Sequence, residues 1–218
     1  MAQTRPTTKP HQPNLGPVRQ RILDAAFAAF VERGFVETST LDIATRAHVS
    51  KRELYAVVGN KQEMLIACIT ERARRMRLPV DLPVPRDRAT LADVLTGFGA
   101  QLLREVCDPA VIAVFRVAIA EADRAPEIAQ ALDSIGREAS RSTLRETLQT
   151  ARSLGVIDGD VAEMSHQFLA LLWGDLLVNL LLRISKPPNR KEIQRRAQNA
   201  AAAFLKLFPL LEGAPAAR

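Results

Sequence analysis

The side chains best placed to do chemistry are Lys51, Arg52, Glu53 and Tyr55, crowded into the stretch SKRELYAVV. A guanidinium can fork onto a guanine edge, an ammonium meets a phosphate as a point charge, and a carboxylate can accept from cytosine. This is the chemistry of recognition. Three oxygen-bearing residues around them are each followed three positions later by an acid: Ser39 by Asp42, Ser50 by Glu53, Asn60 by Glu63. That is the spacing of a helix N-cap and its third helical residue, so three helices begin in quick succession. The first two have room for about two turns each. Helices that short are marginal alone in water and must be held by packing, for which Ile43, Ala44, Ala47, Val49, Leu54, Val57 and Val58 supply the apolar groups. Two short helices across a tight junction, the second presenting cations and a tyrosine, describe a helix-turn-helix with its recognition helix. The plainer alternative is a charged helix face in water.

Bond-making chemistry finds little support. Glu163 and His166 form a Glu-x-x-His step, which ligates paired metals in carboxylate bundles. Such a site needs a second copy, and the other histidines, His11 and His48, lie far from it in sequence. Glu163 near a helix start and His166 as an ordinary side chain is the better reading. No Gly-rich phosphate loop, Gly-x-Ser-x-Gly or Cys-x-x-Cys is present. The expectation is no catalytic residue, no metal and no cofactor.

The stretch from Ala25 to Leu65 resembles the DNA-binding domain of the TetR (tetracycline-repressor) family of bacterial transcription regulators. The matching residues are Ala25, Ala26, Phe30, Gly34, Phe35, Thr38, Ser39, Ile43, Ala44, Ala47, Val49, Ser50, Lys51, Leu54, Tyr55, Asn60, Lys61 and Leu65. The resemblance implies that Ser39, Thr40, Tyr55 and Lys61 meet DNA phosphates, while Lys51, Arg52 and Glu53 face the groove. Two positions depart from the family pattern: His48 stands where Gly is usual, and Val58 where an aromatic ring is usual. A left-handed His48 would strain the turn by ~1 kcal/mol.

The elements that must position these residues follow from composition and punctuation. The chain has 218 residues, is 47% hydrophobic but only 5% aromatic, and carries a formal net charge of +6. This suits helices over sheets and favours a polyanionic partner. Two cysteines make a disulfide framework unlikely in principle and fit a reducing cytoplasm. No signal-like or membrane-spanning run is found, so no membrane partner is expected. Residues 1–16 read as a disordered basic tail, 17–62 as the helix-turn-helix domain, 61–77 as a connecting helix and 78–88 as a Pro-rich linker. Residues 89–212 form a ligand-sensing and dimerisation domain, and 213–218 a second tail. The whole is all-α, with about nine helices.

Residues 116–122, RVAIAEA, followed by Pro126 and Glu127, resemble the AcrR-like branch of the same family. One helix, around residues 161–185, is apolar on every side, and a second subunit is the natural cover. Leu172, Trp173, Gly174, Leu176, Leu177 and Leu180, with Phe204 and Leu207 of the last helix, are the expected homodimer interface; in the family these helices build a four-helix contact. Arg116, Glu121, Asp175 and Asn179 are polar groups on apolar helices. They either line a small-molecule pocket with Phe98, Leu102, Phe115 and Trp173, or pair among themselves, Arg116 with an acid. The function expected is a cytoplasmic homodimeric repressor that binds a palindromic operator in double-stranded DNA and is released by a small-molecule effector. The alternative is a ligand-binding or enzymatic bundle with a vestigial DNA domain.

Overall fold

A computed structural model describes residues 15–75 and 83–209. The two expected tails, apart from residues 15–16, and much of the Pro-rich linker lie outside the described residues. The described residues are all-helical, with no strand. The chain divides into two compact units, residues 1–67 and 68–218.

The first unit begins with α1 (Leu15–Arg33), which has Pro17 in its opening turn. Ile22, Ala26, Ala29 and Phe30 form its buried stripe. Gly34 follows at φ +84°, and its N–H donates to Phe30 O at 3.0 Å. This is the left-handed glycine conformation that commonly ends a helix. Next come α2 (Thr40–Ala47) and α3 (Lys51–Val57), which pack on each other and on α1. Ile43, Ala44, Ala47 and Leu54 are buried, and Phe35 rests on Phe30 with ring centroids 5.4 Å apart. His48 does adopt the left-handed region, at φ 53° and ψ 48°. The fourth helix, α4 (Lys61–Arg75), starts in this unit with Met64 and Leu65 buried, and the boundary between units falls inside it.

The second unit contains α5 (Arg88–Val106), α6 (Pro109–Ala120), α7 (Pro126–Ala131), α8 (Glu138–Ser153), α9 (Val161–Trp173), α10 (Leu176–Leu181) and α11 (Arg190–Leu207). Helix α5 packs along α11, and α9 packs against both α8 and α11. Phe168 lies between Phe98 and Phe204, at 6.1 and 5.7 Å. Gly99 permits the close passage of α5: a Cβ there would meet Leu172 Cδ1 at 3.0 Å and Ala197 Cβ at 3.4 Å. Arg88 ties the start of α5 to the carbonyls of Leu205 and Phe208.

The described residues form eleven α-helices where about nine were expected, and both additions come from breaks inside longer helical stretches. The helix begun at Pro126 passes through a π-helical turn at Leu132–Arg137. The helix begun after Asp160 stops at Trp173, because Gly174 takes φ +45° and ψ −123°, outside helical space. Helix α6 is also less covered than its apolar sequence implies: Ile119 is 61% exposed. No helix among the described residues is long and apolar enough to cross a membrane.

Candidate functional site

Local capping brings the candidate DNA-facing residues together. Ser39 Oγ accepts from the Asp42 N–H at 3.0 Å, and Ser50 Oγ accepts from the Glu53 N–H at 3.1 Å. Each oxygen still has its own proton, so a capping serine can donate outward while it holds its helix. Only the third cap is reciprocal: Asn60 Oδ1 accepts from the Glu63 N–H, and Glu63 Oε2 accepts from the Asn60 N–H at 2.6 Å. The Asp42 carboxylate serves a different purpose. It pairs with Arg33 at 3.0 Å and Arg46 at 3.5 Å, while Arg46 reaches Glu32 at 2.8 Å. This network fixes α2 against the end of α1, and hydrogen bonding by Arg46 lowers the Glu32 pKa.

Ser39, Lys51, Arg52, Glu53 and Tyr55 are exposed and Thr40 is half-buried. Tyr55 OH and Thr40 Oγ1 lie 3.3 Å apart, which joins the start of α2 to the outer face of α3. Lys61 is placed otherwise than expected. Its ammonium donates to the carbonyls of Phe35 at 2.8 Å, Thr38 at 3.1 Å and Val36 at 3.3 Å, and stands 4.5 Å from the Phe35 ring centroid. An ammonium has three donors, so all of them are engaged with the loop before α2. Thr38, for which the sequence offered no role, is buried, with its hydroxyl donating toward the carbonyls of Gly34 at 2.6 Å and Ala29 at 3.1 Å.

The second unit holds a cavity of about 790 Å³ between α5, α6, α8, α9 and α10. Leu102, Phe115 and Trp173 line it, as expected, and so do Gly174 and Leu177 from the expected interface. The other five expected pocket residues do not. Phe98 belongs to the aromatic core, and Glu121 is buried beyond the end of α6. Arg116 donates to the carbonyls of Leu180 at 2.6 Å and Leu181 at 3.0 Å, so its partner is a helix end rather than an acid. Asp175 and Asn179 bond each other at 2.9 Å, with Arg196 3.8 Å from Asp175. The polar lining comes instead from Glu138, Ser140, Arg141, Arg145, Ser165 and His166. Glu138, Ser140, Arg141 and Arg145 come from α8, whose sequence is largely polar, and only the fold shows what they line.

Four expected interface residues also need correcting. Leu172, Leu176, Leu180 and Phe204 are buried in the subunit's own core. Among the described residues from α10 to the end of α11, Val178, Leu182, Ile184 and Leu207 are the large apolar side chains left exposed.

Both units match models of known families. The model described as bacterial regulatory proteins, tetR family, matches residues 22–68. The model of the AefR-like transcriptional repressor C-terminal domain matches residues 93–208. Among curated relatives, YvkB of Bacillus subtilis (strain 168), an uncharacterised HTH-type transcriptional regulator, is 24% identical over 193 residues, 87% of this chain and 96% of that one. Among solved structures, the flavonoid-responsive regulator FrrA is 30% identical with a TM-score of 0.72, covering 88% of this chain and 97% of its own. A TetR transcriptional regulator from Agrobacterium tumefaciens is 28% identical with a TM-score of 0.72, covering 91% and 95%. This chain therefore belongs to the TetR family, and it is a helix-turn-helix transcriptional regulator, not an enzyme.

Proposed function

We propose that this protein is a cytoplasmic repressor that binds an inverted-repeat operator as a homodimer and leaves it when a small molecule enters the cavity. Residues 17–62 are the DNA-binding domain in this reading, and residues 89–212 sense the ligand and pair the subunits. The observation that carries it is the shared face of α2 and α3, where the Thr40–Tyr55 contact sets Ser39, Thr40 and Tyr55 beside Lys51 and Arg52. Hydroxyls at a helix N-terminus suit phosphates, and Lys51 and Arg52 suit the groove, with Glu53 as an acceptor for cytosine. Lys61 is assigned to holding the loop that carries Ser39. Regulators of this family bind DNA and small-molecule effectors and are dimeric, and the C-terminal match to a repressor domain supports the sign of control. FrrA is named as flavonoid-responsive, which supports a ligand-gated reading.

The mechanism is a population shift. Two recognition helices must meet half-sites about one DNA turn apart, ~34–36 Å. A ligand that binds better to a form with another spacing weakens operator binding by its differential affinity. Selection from a random duplex library should return an inverted repeat. Against that duplex, Arg52→Ala should cost ~1–3 kcal/mol and relax preference at one position per half-site. Recovery of no preferred sequence, in a protein that is folded, would remove the operator reading.

A further inference from the structure

The cavity's lining is of two kinds. Leu102, Phe115, Leu169 and Trp173 are apolar. Arg141 on α8 and Ser165 on α9 are donors with few acceptors near them. Arg141 stands 3.7 Å from Asp133 and 3.9 Å from Glu138, ion-pair distances beyond hydrogen-bond reach. Among the described residues its guanidinium makes no hydrogen bond. The Glu138 carboxylate is already bonded to Arg145. Ser165 is only 4% exposed and lines the cavity, and its hydroxyl also has no partner among the described residues.

We infer that this cavity takes an apolar molecule ending in a single carboxylate, received by Arg141 with Ser165 as a second donor. The inference rests on the reading that the cavity holds the effector, and it adds the ligand's class. Glu138 is committed to Arg145 and Asp133 is more than half exposed, so an entering carboxylate can bond Arg141 without displacing a hydrogen bond, and a single charge crowds those two acids least. A dianion such as a phosphate monoester would leave excess charge against an apolar wall. A cationic head would have to take Glu138 from Arg145. A neutral ligand would strip water from Arg141 and leave it only the two longer ion pairs. The forked guanidinium matches a carboxylate in shape as well as in charge, and the volume suits a ligand with a sizeable apolar body.

Trp173 is the chain's single tryptophan and lies in the wall, so its emission reports occupancy. The test titrates the protein with decanoate, 1-decanol and decylammonium, which share one body and differ in the head. Decanoate is expected to saturate the signal about tenfold or more tighter than decanol, with decylammonium weakest. Arg141→Gln should bring decanoate to the level of decanol and leave decanol unchanged, which also shows that the cavity is intact. Arg141→Lys should keep part of the preference, and Ser165→Ala should cost a few-fold. Decanol binding as tightly as decanoate, no saturable binding of decanoate at all, or an Arg141→Gln protein with its acid preference intact would each overturn the inference. The operator gel shift separates the underlying reading. Charge-selective binding of decanoate with operator affinity unchanged would remove effector release and leave the ligand class standing. Release by decanol as readily as by decanoate would do the reverse.

Discussion

Lys61 holds three carbonyls of the loop that delivers Ser39 to the start of α2, and in that position it is a structural residue. Lys61→Ala should therefore lower stability by ~1–2 kcal/mol, since charge-assisted hydrogen bonds to partly buried carbonyls are lost. Operator affinity should fall with it while the salt slope stays unchanged. A slope smaller by about one counterion, with full thermal stability, would return Lys61 to the phosphates. The sequence made this lysine legible as important but not as a clasp, because its partners are backbone atoms some twenty-five residues away. Cys107 tells a related story. It is buried at the end of α5, and burial pushes its thiol up to about 11 from an ordinary 9.0. A raised folded-state value means the stability it carries is whole below pH 9 and is lost as pH rises toward 11. The loss should reach about 1 kcal/mol by pH 10. Denaturant titrations at pH 8 and 10 should show it in the wild type but not in Cys107→Ala. Equal pH slopes for the two proteins would mean the thiol is not so confined.

The helix starts were readable one by one, since an N-cap and its third residue are local: Ser39, Ser50 and Asn60 all cap where spacing placed them. The interruptions were not. A π-helical turn has no residue type of its own, so Leu132–Arg137 left no mark. Gly174 was visible, but a glycine inside an apolar run can mean close approach or a break, and the local pattern does not choose between them. The structure shows what sustains the break. Arg196 donates to the last carbonyls of α9, Leu172 at 3.3 Å and Trp173 at 3.1 Å, and Arg116 does the same for α10. Each arginine comes from another helix and satisfies carbonyls that a helix end leaves open. Arg116→Met keeps the stem and removes both bonds, so the denaturation midpoint should fall by the equivalent of ~1–3 kcal/mol. An unchanged midpoint would show that α10 needs no such support.

At the scale of the whole molecule, the argument for a dimer changes footing. An apolar helix with no polar side would need a second subunit to cover it, but Leu172, Leu176 and Leu180 are buried inside their own subunit, and Leu169, Leu171, Leu177 and Leu181 are partly buried against the same core. What remains outside is smaller and specific: Val178 is 55% exposed, Leu182 64% and Ile184 70%. Apolar groups clustered on a surface mark contact sites more often than scattered ones do. The expected interface therefore moves from Leu172, Leu176 and Leu180 to Val178 and Leu182, and the two sets make opposite forecasts. Leu180→Asp puts an unpaired charge into the core and should unfold the protein whatever its oligomeric state. Leu182→Asp and Val178→Asp should leave the isolated subunit within about 0.5 kcal/mol of the wild type. In a dimer the same two changes bury an unpaired charge, so sedimentation should show dissociation at micromolar concentration. Operator affinity should then drop, because the second half-site loses the effective concentration supplied by the first. A Val178→Asp, Leu182→Asp double variant that sediments as a dimer and binds the full inverted repeat as tightly as the wild type would place the interface elsewhere.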